Sequence, residues 1–297
     1  MKITLIGYGE VGRILAEDLV PRGHAVAAYD LKLDGEAGHS LREHAARTGV
    51  TLTDSHEAAV RRAELIISAV TASQAVAVAE GCAPGVAAGA FFLDFNSASP
   101  GAKQRAGRCI DAAGGRYVEA AVMSPIPPHR IKVPLLLGGA HAAALEPLLN
   151  GLGFAAKVAS DRLGVASATK MCRSVMIKGL EAMVIESFTA ARHYGVEDAV
   201  IASLRETFPG VDWEQQAAYF FQRVIEHGRR RSEEMREVAV TVQEAGLKPW
   251  SAGGTAERQA WVADRADAGV FGAKSSSEFA RSADWRTEAD RLLKNRS

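Results

Sequence analysis

The chain opens on a short apolar run, Lys2-Ile-Thr-Leu-Ile6, followed by a stretch from Glu10 to Arg22 that reads as a helix. Ala25-Val-Ala-Ala-Tyr29 is a second apolar run, and Leu65-Ile-Ile-Ser-Ala-Val70 and Phe91-Phe-Leu-Asp94 follow the same style. Continuous runs of this length suit strands covered on both faces. Their alternation with helices predicts a doubly wound, mainly parallel α/β sheet. Tyr117-Val118 and Pro134-Leu-Leu-Leu137 are expected to add strands near the end of this domain.

After about Asp161 the pattern changes. From Gly164 to His193 runs a proline-free stretch of Ala, Met, Val, Ile and Leu, and Gly195 sits where a helix would stop. Gly179 lowers its helix propensity without breaking it. Apolar residues cover much of the circumference, so the helix is expected to be buried between domains or subunits. Helical patterns continue over Asp212–His227, Arg229–Glu244, roughly Thr255–Ala266, and Ser276–Lys294. The expectation is an α/β domain over 1–161 and an all-α domain over 162–297, joined by the long helix.

Composition narrows the class. With 297 residues, 47% hydrophobic and 24% charged, the chain is long enough for two globular domains. Its 35 basic and 35 acidic residues cancel, so no global field favours nucleic acid or an anionic membrane. No apolar run is long enough to span a bilayer, and the N-terminus reads as a strand, not a signal peptide. Cys82, Cys109 and Cys172 have neither metal-ligand nor disulfide-framework spacing and fit a reducing cytoplasm. The dispersed histidines form no metal constellation, so no metal is expected.

Gly7-Tyr8-Gly9-Glu10-Val11-Gly12 carries the first chemistry. G-x-G-x-x-G alone is unspecific, but here it follows a buried strand and opens a helix, the setting of a Rossmann dinucleotide fingerprint. Gly7 permits the tight turn, Gly9 the approach of a pyrophosphate, and Gly12 close helix–strand packing. The helix N-terminus offers backbone N–H groups and a favourable dipole to phosphates. Asp30 ends the next strand, where a carboxylate can accept from an adenosine ribose and repel a 2′-phosphate. That favours NAD over NADP, although Lys32 is close and a turn-forming role for Asp30 stays open. Two later strand ends, Val70-Thr71 and Asp94-Phe-Asn-Ser97, should face the same crevice. Asn96 and Ser97 can bind ribose or substrate, or serve as ordinary turn formers.

Lys170 stands near the start of the long helix, with Arg173 and Ser174 at i+3 and i+4 on the same side. A lysine tuned toward neutrality can take a hydroxyl proton as hydride leaves an alcohol carbon. On its own, a helical lysine is more often a solvated charge.

These segments together resemble the β-hydroxyacid dehydrogenase superfamily, which includes 3-hydroxyisobutyrate and 6-phosphogluconate dehydrogenases. The likeness spans essentially the whole chain. It is closer to a 6-phosphogluconate-dehydrogenase-like branch with a distinctive C-terminal helical domain. It is strongest at the glycine turn and in Lys170-Met-Cys-Arg-Ser-Val-Met-Ile-Lys-Gly-Leu-Glu181. The resemblance implies a Rossmann domain, a long interdomain helix and a helical domain, assembled as dimers or larger oligomers. It matches Lys170 to the family's catalytic lysine, and Asp94-Phe-Asn-Ser-Ala-Ser-Pro100 to the nicotinamide-side Asp-x-Ser-Thr-x-x-Pro segment.

The departures fall on the substrate side. The family's Asp-x-Pro-Val-Ser-Gly-Gly segment aligns with Glu119-Ala-Ala-Val-Met-Ser-Pro125. Met123 replaces a hydroxyl residue, Ser124 offers one a position later, and Pro125 has no N–H to give. The usual asparagine pair is Arg173-Ser174, able to clamp a carboxylate or join a structural ion pair. A later family lysine aligns approximately with Glu233, with Arg230 or Arg231 as possible substitutes.

Other candidates keep two readings. Ser124-Pro-Ile-Pro-Pro-His129-Arg130 is a rigid loop near the substrate or a stiff surface connection. Arg229 to Arg231 read as a solvated face partnered by Glu233, Glu234 and Glu237 more readily than as a phosphate site. Trp213, Tyr219, Phe220 and Phe221 read as helical core, and Trp250 could border a pocket. The overall expectation is an NAD-dependent oxidoreductase acting on a small-molecule hydroxy acid or related alcohol. An imine reductase using NADPH and a catalytically silent dinucleotide sensor are the alternatives. Retention of Lys170 counts against both, and Asp30 against NADPH.

Overall fold

The computed structural model describes residues 1–274, 276, 279 and 284–295. Contacts divide the chain into two compact units, Met1–Met171 and Cys172–Ser297. The first contains strands β1 (Lys2–Ile6), β2 (Ala25–Tyr29), β3 (Thr51–Leu52), β4 (Leu65–Ser68), β5 (Phe91–Asp94), β6 (Arg116–Val122), β7 (Pro134–Gly138) and β8 (Ala155–Ser160). Helices α1 (Glu10–Leu19), α2 (Gly38–Thr48), α3 (His56–Val60), α4 (Ala75–Cys82), α5 (Pro100–Ala112), α6 (Ile126–His129) and α7 (Ala142–Gly151) alternate with them. The sheet order is β3-β2-β1-β4-β5-β6-β7-β8, and every pair is parallel except β6–β7. The first six strands follow the 3-2-1-4-5-6 order of a Rossmann sheet, with the order reversing between β1 and β4.

The apolar runs are buried on both faces. Ile3 and Leu5 of β1, Leu65 and Ile67 of β4, and Phe91 and Leu93 of β5 enter one cluster. The intervening Ile6, Ile66 and Phe92 enter a second. That period-two division, with both halves apolar, is what a helix-covered parallel sheet requires. The expected helix from Glu10 to Arg22 ends at Leu19, because Pro21 tightens the last residues into a 3-10 turn, Val20–Arg22.

The long helix α8 spans Val165–Tyr194, so its opening turns belong to the first unit. The second unit adds α9 (Glu197–Thr207), α10 (Trp213–Glu244), α11 (Trp250–Asp267) and α12 (Trp285–Lys294). The expected break between two helices near Gly228 does not occur: α10 is continuous over 32 residues. A Cβ on Gly228 would stand 2.8 Å from Gln259 O on α11, so this glycine permits a close helix crossing. The helix expected over Ser276–Lys294 is present from Trp285, and residues 275, 277, 278 and 280–283 lie outside the described ones. Phe188, Trp213, Phe220, Phe221, Val224 and Trp285 form the core of this unit. Tyr219 does not join them. It is one position off the buried stripe of α10, half exposed beneath Arg223. Trp250 is 83% exposed.

The basic run is partnered as expected at Arg230 alone, whereas Arg229 and Arg231 pair with other carboxylates. Arg229 binds Asp264 at 2.5 Å and Asp267 at 2.7 Å. Arg230 pairs with Glu234, and Arg231 is buried against Glu181. Glu234 also accepts from the buried Lys178, whose ammonium pKa burial pushes down. Among the described residues, no helix is long and apolar enough to cross a membrane.

Candidate active site

The glycine turn sits at the point where the strand order reverses. Gly7 follows β1 with φ +92, and a Cβ there would stand 2.4 Å from Ala69 O beyond β4. Only glycine fits both the backbone conformation and the approach. Gly12 serves a different need: its Cβ would lie 2.3 Å from Gly7 O, so its absence lets α1 close on the turn. Gly9 faces open space, with nothing within 4 Å of a Cβ. It is the N-cap of α1 and supplies no side-chain cap. A bare helix N-terminus beside open space is chemically suited to a phosphate anion.

Asp30 locks this turn to β2. Its Oδ2 accepts from Tyr8 N at 2.8 Å, and its Oδ1 accepts from Lys32 N at 2.8 Å. Each oxygen keeps a further lone pair for another donor. Tyr8 contributes only backbone here. Its side chain is fully buried, and its hydroxyl meets His44 Nδ1 at 2.8 Å. Burial pushes that phenol above its ordinary pKa. Glu10 is exposed and Val11 partly buried on the first turn of α1.

The ends of β4 and β5 are stapled by Asn96. Its Oδ1 accepts from Val70 N at 2.7 Å, and its Nδ2 donates to Ser68 Oγ at 3.0 Å. Asn96 is buried, whereas Thr71 is exposed at the start of the next turn. Ser97 is partly buried and reaches another expected residue: Lys170 Nζ donates to Ser97 Oγ at 2.6 Å. The loop after β5 and the second turn of α8 thus place a hydroxyl against the lysine tip. Met123 closes the end of β6, donating from N to Pro134 O at 3.0 Å. Met123 and Ser124 are partly buried, and Pro125 is exposed. On α8, one turn beyond Lys170, Arg173 is exposed and Ser174 buried.

The model of the NAD binding domain of 6-phosphogluconate dehydrogenase matches residues 2–153, about half the chain. The chain belongs to the β-hydroxyacid dehydrogenase superfamily. Residues 191–262 match a second family, described as a domain of unknown function, DUF1932. A conserved protein from Sinorhizobium meliloti is 37% identical at a TM-score of 0.80, covering 98% of this chain and 97% of that one. The 3-hydroxyisobutyrate dehydrogenase of Pseudomonas aeruginosa is 24% identical over 71% of each chain. The fold is shared with the Mycobacterium tuberculosis 3-hydroxyisobutyrate dehydrogenase, at TM-score 0.71, 16% identity and 98% coverage of both chains. An imine reductase from Myxococcus stipitatus in complex with NADP+ has the fold at TM-score 0.54 and 17% identity, covering 91% of this chain and 95% of that one. The match over residues 2–153 supports a nicotinamide dinucleotide cofactor.

Several buried contacts on and beside β5 and β6 escaped the reading of the sequence. Lys103 on α5 is buried with Asp94, its Nζ 2.8 Å from Oδ1 and 2.9 Å from the backbone O. Asp94 Oδ2 accepts from Tyr117 OH at 2.6 Å, and Oδ1 accepts from Asn96 N at 2.8 Å. Burial, then Asp94, drive the Tyr117 pKa well above its usual value. This network fixes the loop carrying Asn96 and Ser97. Lys103 gave no signal in a helix of mixed polarity. Glu119 did give one, as a charge inside the apolar strand Tyr117-Val-Glu-Ala-Ala-Val122.

Arg130 is not a free polar group at the end of the proline loop. It binds Asp18 at 3.0 Å and Glu17 at 2.9 Å on α1 while adopting φ +52. Its side chain and Ile131 N, which donates to Asp18, hold that strained conformation. A cavity of about 660 Å³ lined by Lys2, Thr4, Thr51 and Arg62 lies at the amino ends of β1 and β2, opposite the glycine turn. It contains none of the groups described above.

Proposed function

We propose that this chain interconverts a small hydroxy acid and its carbonyl product, with NAD as cofactor and Lys170 as general acid/base. The observation that carries the reading is the 2.6 Å Lys170 Nζ–Ser97 Oγ hydrogen bond, which holds the lysine tip at the carboxyl end of β5. Ligands of open α/β sheets bind along that edge.

The turn residues fit the cofactor. Gly9 leaves room for a pyrophosphate, the uncapped amides of Glu10, Val11 and Gly12 suit its charge, and Asp30 has lone pairs for ribose hydroxyls. A carboxylate at Asp30 disfavours a 2′-phosphate, which supports NAD over NADP. When bound, the cofactor supplies the hydride acceptor or donor. Val70, Thr71, Asn96 and Ser97 shape the nicotinamide side.

Proton handling belongs to the chain. Neutral Lys170 Nζ accepts the substrate hydroxyl proton during oxidation, and its ammonium form returns a proton to the oxygen during reduction. Ser97 Oγ orients Nζ for both directions. Ser124, with Met123 and Pro125 shaping the wall, orients the substrate, while Arg173 pairs with its carboxylate and Ser174 supports that group. The free cysteines support a reducing cytoplasmic location. Exposed Met176, Ile177 and Met183 on α8 support a homodimer or larger assembly.

The test is a panel of hydroxy acids, including 3-hydroxyisobutyrate and L-serine, with a cyclic imine as the competing class. Each is offered with NAD(H) and NADP(H) while nicotinamide absorbance is followed. Turnover of a hydroxy acid with NAD supports the reading. Turnover of the imine alone, or tight NADH binding without turnover of any compound, overturns it.

A further inference from the structure

Glu119 is 0% exposed in the middle of β6, where a carboxylate ordinarily needs a cation. Instead its Oε1 accepts from Gly164 N at 2.7 Å and Ala166 N at 3.1 Å. Its Oε2 has no hydrogen-bond partner among the described residues. Space for the group comes from Gly138, the register partner of Glu119 on β7, where a Cβ would stand 2.4 Å from Oε1.

The two amides are those that open α8. Helix-opening N–H groups lack intrahelical acceptors and carry the positive end of the helix dipole, so they stabilise a carboxylate without a formal cation. Gly164, at φ +95 against Pro100 and Gln104 of α5, turns the chain so that its N–H can reach Glu119. Lys170 follows Ala166 by one helical turn and ends on Ser97. Ser97 follows β5, and β5 and β6 are neighbours with Asp94 opposite Glu119.

We propose that Glu119 is a positioning residue for Lys170, fixing the turn of α8 from which the lysine projects while Ser97 holds its tip. The inference rests on the assignment of Lys170 as acid/base. A carboxylate here is better suited than an apolar residue because it satisfies two amides that are otherwise buried and unpaired.

The test compares wild type, Glu119→Ala, Glu119→Gln and Glu119→Asp by amide hydrogen exchange with NADH present. Turnover of 3-hydroxyisobutyrate with NAD is measured in parallel. In Glu119→Ala, exchange over residues 164–170 should rise about tenfold, while β1 and α1 keep wild-type rates. Turnover should fall about tenfold in kcat at unchanged KM for NAD. Glu119→Gln, whose amide oxygen can accept from the same two N–H groups, should recover both. Glu119→Asp keeps the charge but shortens the reach, and should show the same local rise in exchange if the alanine variant does not fold. Wild-type exchange over 164–170 in the alanine and aspartate variants, or an equal rise across the whole unit, would overturn the proposal. Failure of wild type to turn over the acid, with the local rise intact, counts against the functional reading and leaves the hold on α8 standing.

Discussion

Lys170 Nζ donates to Ser97 Oγ across 2.6 Å, joining residues 73 positions apart in the chain. The bond connects a loop set by the Asp94 network to a helix start held by Glu119. Ser97→Ala removes the anchor of the lysine tip and leaves both supports in place. Its kcat is expected to fall about tenfold with NADH affinity unchanged, measured by steady-state kinetics and fluorescence titration.

Gly9 and Gly12 should separate binding from folding. Gly9→Ala places a methyl in open space where a pyrophosphate would lie, so stability should change by less than about 1 kcal/mol. NADH affinity should nevertheless drop sharply. Gly12→Ala drives a methyl against Gly7 O, and the overpacking should cost about 1–3 kcal/mol. Thermal melts with and without NADH distinguish the two.

Asp30 carries the expected cofactor preference and also staples Tyr8 N to Lys32 N. Asp30→Ala should weaken NAD binding about tenfold, the scale of lost hydrogen bonds to a charged acceptor. The same variant should lose less affinity for NADP, because the repulsion of the 2′-phosphate goes with the carboxylate. Paired Kd measurements for the two cofactors read the change in ratio.

Stability should decline on mild acidification. Burial pushes the His56 imidazole below its ordinary pKa, and its ring packs edge-on against Tyr29 with centroids 4.7 Å apart. The unfolded chain therefore binds the proton more readily. The contribution is complete above the unfolded pKa of about 6.5 and is lost as pH falls through the lower folded value. His227 is shifted down by burial in the same direction. Melting temperature should fall between about pH 7.5 and 5.5, and His56→Gln should flatten that slope.

Local features were the legible ones. The run Lys2–Ile6, the turn Gly7–Gly12 and Asp30 lie within one strand–helix–strand unit, where spacing alone implies geometry. Lys170 was singled out through the family resemblance, since its contact with Ser97 depends on the whole sheet. The less visible features are long-range. Glu119 finds its amide partners 45 and 47 positions later, and Lys103 finds Asp94 only because α5 folds back over β5. Gly228 looked like a helix break because its packing partners on α11 are remote in sequence. Arg231 looked solvated because Glu181 lies 50 positions earlier. In each case the residue type was readable while its partner was set by topology.

The most direct test of the account is Lys170→Met, compared with wild type on whichever hydroxy acid the panel identifies. The account predicts a fall in kcat of at least about a hundredfold, the scale of a lost general acid/base. NADH affinity and melting temperature should remain close to wild type. Turnover by Lys170→Met at the wild-type rate would contradict the central claim and remove Lys170 from the chemistry.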